Sequence, residues 1–165
     1  MDKAALDKLM HVIDCLESVD GQLTNFKARA SKAAAQAVAR FKLQGSDIPS
    51  FKPLAEALVK LGKAEPTATK AVDGIKKIGA VAADKKKGAA LTLDDAKKQA
   101  RAFLPKIQAV DDIVGTISTL EQKVYREIGT KFLGLDVDLN VTVSKNCPFF
   151  TQYYAHFKVE LNKLK

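Results

Sequence analysis

From Leu6 to Ile128 apolar residues recur mostly at intervals of three, four or seven, and from Leu135 the interval becomes two. The first spacing buries one stripe of a helix, and the second buries one face of a strand. Leu6, Leu9, Ile13, Leu16, Leu23, Phe26, Ala30, Ala34, Val38 and Phe41 make the first stripe, with Asp2 placed to cap it. Asp20 and Gly21 interrupt this stripe and predict a bend or short break. The run Gln44-Gly45-Ser46-Asp47-Ile48-Pro49-Ser50 reads as a stop.

The pattern weakens over residues 51–91. Pro53 can start a short helix through Leu54, Leu58 and Leu61 to Gly62, and Pro66 another through Ala71, Ile75 and Ile78. Gly74 and Gly79 weaken the second, and Asp84 to Gly88 reads as an exposed turn. This Ala/Lys-rich middle is expected to be mobile. Thr92 followed by Asp95 is an N-cap signature. The stripe after it holds Ala96, Ala100, Phe103, Ile107, Val110, Val114, Ile117, Val124 and Ile128, with Pro105 expected to kink or divide the helix.

Near the C-terminus Leu135, Val137, Leu139, Val141 and Val143 alternate with polar residues and predict a strand. A lone strand leaves its backbone groups unpaired and needs a partner. Tyr153, Ala155, Phe157, Val159 and Leu161 also alternate, which predicts a hairpin with Ser144–Gln152 as its connection. The rival is a helix starting at Pro148, because Phe150, Tyr153, Tyr154, Phe157, Leu161 and Leu164 fit a helical stripe as well. The hairpin is preferred because it supplies the first strand with a partner inside the chain. The expected fold is mainly α: an elongated antiparallel helical bundle over residues 1–134, with a mobile 51–91 segment. A small C-terminal β-hairpin over 135–165 packs on it or projects from it.

Composition narrows this picture without identifying it. The chain of 165 residues fits one domain. No apolar run approaches the roughly 20 residues that span a bilayer. Acids stand near the start, where a signal peptide would carry bases, so synthesis in the cytoplasm is expected, followed by incorporation into a particle or assembly. Cys15 and Cys147 are too few and too far apart for a disulfide framework.

The net charge of +8 is unevenly spread. Residues 1–20 carry two lysines against five acids, whereas residues 21–43 carry five bases and no acid. Lys27, Arg29, Lys32, Arg40 and Lys42, joined by Lys85, Lys86 and Lys87 if the helices fold back on each other, are candidate contacts for an anion or nucleic acid. Acid early and base late also suits a helix dipole with no partner at all.

Catalytic signatures are scarce: there is no G-x-S-x-G, Walker-type or G-x-G-x-x-G motif. His11 and Cys15 stand one helical turn apart, and Cys147 with His156 could complete a zinc set only if the C-terminal element docks beside the first helix. No cofactor or metal is expected. The paired acids Asp94/Asp95, Asp111/Asp112 and Asp136/Asp138 read as solvated faces.

These readings point to a non-enzymatic structural or assembly protein. It would self-associate or dock on protein partners in a larger complex, such as a virus particle, a filament or a secretion apparatus. Its candidate interface is Leu135, Val137, Leu139, Val141, Val143, Phe149, Phe150, Tyr153 and Phe157. The alternative is a sequence-independent nucleic-acid-binding protein that uses the basic helical face.

Overall fold

The computed structural model describes residues 1–44, 47–131 and 141–165. Five α-helices follow one another among them: α1 Lys3–Asp14, α2 Leu16–Gln44, α3 Phe51–Ala83, α4 Leu93–Lys131 and α5 Val141–Lys163. A single 3-10 turn, Gly88–Ala90, lies between α3 and α4.

The helices share one buried pattern. Along α4 the residues Ala96, Ala100, Ile107, Val110, Val114, Ile117, Val124 and Ile128 are buried, with half-buried Phe103 and Glu121 filling the two gaps in an alternation of four and three. Leu9, Val12, Leu16, Val19, Leu23, Phe26, Ala30, Ala33 and Ala37 repeat it across the α1–α2 junction. In α3 the seam runs from Phe51 through Leu54, Leu58 and Leu61 to Ile75 and Ala82. Alternating steps of three and four keep a seam facing its neighbours, as in helical bundles with knobs-into-holes packing.

From α2 onward successive helices run antiparallel, as the contacts between them require. Asp20 meets Lys76 while Ala30 faces Gly62, which fixes α2 against α3. Gly74 lies under Phe103 while Ser50 meets Glu127, which fixes α3 against α4. Asp111 meets Thr151 while Arg101 meets Asn162, which fixes α4 against α5. Phe26 packs on Phe150 at 5.5 Å between ring centroids, closing α2 on α5.

The C-terminal hairpin is not present. Leu135, Val137 and Leu139 lie outside the described residues, but Val141 and Val143 already belong to α5, as does the whole proposed second strand. No strand occurs among the described residues. The physical reason lies in the spacing Val143, Cys147, Phe150, Tyr154, Phe157, Leu161, Leu164, all of it buried. A helix puts these side chains in one seam. The period-2 reading would instead bury Val159, which is 50% exposed, and Ala155, also exposed.

Three further expectations change. The break in the first arm falls at Cys15, not at Asp20–Gly21, and the buried seam crosses it without a phase shift. Residues 51–83 form one helix of 33 residues, not two short ones, and Pro105 does not divide α4. Pro66, Pro105 and Pro148 all sit on exposed positions, where water can satisfy the carbonyl each proline leaves unpaired.

Helix ends are closed partly by distant residues. The caps read from sequence form: Ala5 N–H donates to Asp2 Oδ1 at 2.8 Å, and Asp95 N–H to Thr92 Oγ1 at 3.1 Å. At the start of α3, Ser50 donates from N–H (3.1 Å) and hydroxyl (2.5 Å) to the carboxylate of Glu127. A carboxylate there also favours the positive end of the helix dipole. At the end of α5, Lys97 Nζ donates to the carbonyls of Asn162 and Leu164, both at 2.9 Å.

Candidate functional site

Of the open hollows beside α3, two lie on opposite sides of the helix and at opposite ends. The first lies between α2 and α3, with a volume of about 560 Å³. Val38, Phe41, Ala55 and Val59 give it an apolar floor, and Lys42, Lys52, Lys60 and Lys63 with Glu56 stand around it. Val38 is 40% and Val59 45% exposed, although each is surrounded by apolar neighbours. The cause is registry: both lie beside the 3–4 seam, next to Ala37 and Leu58, so no facing helix covers them.

The second hollow, about 640 Å³, lies between α3 and α4. Lys70 and Lys77 border it from α3, Lys87 from the turn and Gln99 from α4, around Gly74, Ile78, Val81, Leu91 and Phe103. Gly74 makes room for Phe103, since a Cβ there would stand 2.5 Å from the ring's Cε1. The turn that carries Lys87 is held by Asp84, whose Oδ1 accepts the N–H groups of Lys86 (2.8 Å) and Lys87 (3.0 Å). Those two bonds hold the Asp84 carboxyl below its usual range.

The sequence-predicted basic residues are therefore divided. Lys27, Arg29, Lys32 and Lys42 are exposed and Arg40 half-buried. At about 100° per residue, Arg29, Lys32 and Arg40 fall on one flank of the α2 seam, and Lys27 and Lys42 on the flank that meets α3. Lys85, Lys86 and Lys87 lie at the other end of the bundle, beside Met1, whose amino group donates to Gly88 O at 3.2 Å. About 50 Å of α3 separates that end from the Lys42 end. What the fold does gather is Lys42 with Lys52, Lys60 and Lys63, and Lys87 with Lys70 and Lys77. Sequence reasoning missed these partners. The available signal was Val59, an apolar residue one step off its stripe; Val38, placed in the first stripe by its spacing, is exposed because Ala37 takes the seam position.

Of the candidate interface residues, Val143, Phe150 and Phe157 are core. Phe149 is 47% exposed and stacks on half-buried Tyr153 at 6.3 Å. Leu135, Val137 and Leu139 lie outside the described residues, and Val141 opens α5.

The C-terminal helix docks beside the first helix and brings His11, Cys15 and His156 near Glu160, but Cys147 does not join them. His11 Nε2 lies 3.7 Å from Glu160 Oε2, and Cys15 donates to His11 O at 3.4 Å. Cys147 sits 13 residues up α5 from Glu160, roughly 20 Å away along the axis. Among the described residues no three His, Cys, Asp or Glu side chains are placed to share a metal ion. Burial pushes the Cys147 thiol up to about 12, with Glu121 adding to the shift. Cys15 is also raised, first by partial burial and then by Glu160 and Asp14. Tyr154 is raised to about 12 by burial and by Asp111 and Asp112. Burial pulls the Lys76 ammonium down, but hydrogen bonds to Asp20 (2.9 Å) and Glu17 (3.2 Å) outweigh it and raise it overall.

No helix among the described residues is long and apolar enough to cross a membrane. Comparison with protein-family models, with curated proteins and with solved structures gives no match for this chain.

Proposed function

We propose that this protein is a non-enzymatic docking component of a larger assembly, and that the hollow between α2 and α3 receives an acidic amphipathic segment of a partner. The supporting observation is the pairing of an apolar floor, Val38, Phe41 and Val59, with a rim of four lysines and one glutamate. An amphipathic helix that lays an apolar face in a groove needs such a floor, and the rim selects its polar flank by charge. Pairing of this hollow with its own copy is disfavoured, because it would bring two lysine rims face to face. The alternative, nucleic acid bound along α2, is less favoured because the bases divide onto two flanks and form no continuous phosphate track.

The test is fluorescence anisotropy with a panel of amphipathic helical peptides that share one apolar face and differ in the charge of the polar face. Acidic peptides should bind at least about tenfold more tightly than basic ones. Val59→Asp should weaken the acidic peptides by about as much. Equal affinity across the panel, or preference for duplex DNA or anionic vesicles over every peptide, would contradict the proposal.

A further inference from the structure

The hollow between α3 and α4 has a chemistry of its own. Its charged border is cationic throughout: Lys70, Lys77 and Lys87, with no carboxylate among the described residues that line it. Two of these cations stand on one face of α3, seven residues and about 10 Å apart, and the third is presented from the turn that follows the helix. That turn is pre-shaped. Asp84 holds two of its N–H groups, and Gly88 is buried so tightly against the Ala82 carbonyl that a side chain there would collide with backbone. Between the cations lies a floor of Ile78, Val81, Leu91 and the ring of Phe103, and Gln99 adds an amide with both donor and acceptor. A bare inorganic anion would leave that floor wet, and a neutral apolar molecule would leave three ammonium groups without a counter-charge.

We infer that this hollow binds a nucleotide, with the flat base against Phe103 and the apolar floor, and the phosphates towards Lys77 and Lys87. Base–aromatic stacking and lysine–phosphate contacts are each general, sequence-tolerant devices. Gln99 is the group placed to hydrogen-bond a base edge. The site lies at the opposite end of α3 from the docking groove and does not depend on it.

Calorimetric titration of the intact chain with ADP, with pyrophosphate and with adenosine tests this directly. ADP should bind at least about tenfold more tightly than either fragment, and its affinity should fall with added salt. Lys77→Ala and Lys87→Ala should each weaken ADP about five- to tenfold with an unchanged thermal melt, while Lys106→Ala, which removes the same charge on α4 away from the hollow, should not. Phe103→Leu should bring ADP down to the affinity of pyrophosphate. Absence of ADP binding at millimolar concentration, pyrophosphate binding as tightly as ADP, or equal losses in Lys106→Ala and Lys87→Ala would each overturn the inference.

Discussion

The two ends of α3 solve the same packing problem in opposite ways. Near its C-terminus the helix gives up side chains: Gly79 occupies a seam position, and Ile13 and Met10 of α1 fill the space its Cβ would take. Near its N-terminus it keeps them, and Val59 is left 45% exposed beside Val38 with nothing over it. Where it faces α1, the sealed end buries its apolar surface within the chain, while on its α4 side Val81 stays 41% exposed at the second hollow. The open end retains surface that only another molecule can cover, and this contrast carries the functional proposal.

Substitutions should break the sealed end far more readily than the open one. Gly79→Val would drive Ile13 and Met10 away from α3 and should cost about 3 kcal/mol in a denaturant melt. A cost near zero would show that α1 is not locked there.

Alkaline titration probes the sealed interior by charge. The Cys147 thiol is raised to about 12 from an ordinary 9.0, so between those values the unfolded chain has lost a proton that the folded chain keeps. Stability should therefore be unaffected by this group below pH 9 and fall as pH rises towards 12, with Tyr154 adding to the fall above pH 10. Cys147→Ala should flatten part of that slope. For the same reason a disulfide reagent should label Cys15, which is half-buried, well before Cys147.

At the mouth of the open end, Glu127→Ala leaves the Ser50 N–H and hydroxyl without their acceptor and should cost about 2 kcal/mol. Glu65 is a smaller case. It occupies a seam position at 3% exposure with one shown partner, the Thr69 hydroxyl at 2.7 Å. Glu65→Met should raise stability by about 1 kcal/mol, since a matched apolar side chain removes the desolvation of a carboxylate. Smallest of all, Val59→Ser should alter folding stability by no more than about 0.5 kcal/mol, because the side chain is not in the seam. Its effect belongs in binding.

The helical body was readable because long seams repeat themselves many times, and the caps at Asp2 and Thr92 announce themselves within four residues. The hairpin misreading had a local cause. Phe157 and Leu161 belong to both a period-2 and a 3–4 pattern, and only the burial of Phe150 and Tyr154 decides between them. Gly74 and Gly79 looked like weak points because propensity counts what a residue does to its own helix. Their role is set by Phe103 and Ile13, which approach from other helices. The Ser50–Glu127 contact spans 77 residues and leaves no local trace. The basic residues were visible one by one, but their grouping around two hollows follows from helix register, which no charge count contains.

Val59 and Val159 are about equally exposed, at 45% and 50%, yet only Val59 lies in a lysine-rimmed apolar hollow. Site-specific photo-crosslinking from these two positions, in cells of the source organism, compares them most directly. The account predicts one discrete protein adduct from position 59, joined through an acidic amphipathic segment, and none from position 159. Matching adducts from both positions, or adducts of lipid or nucleic acid at position 59, would contradict it.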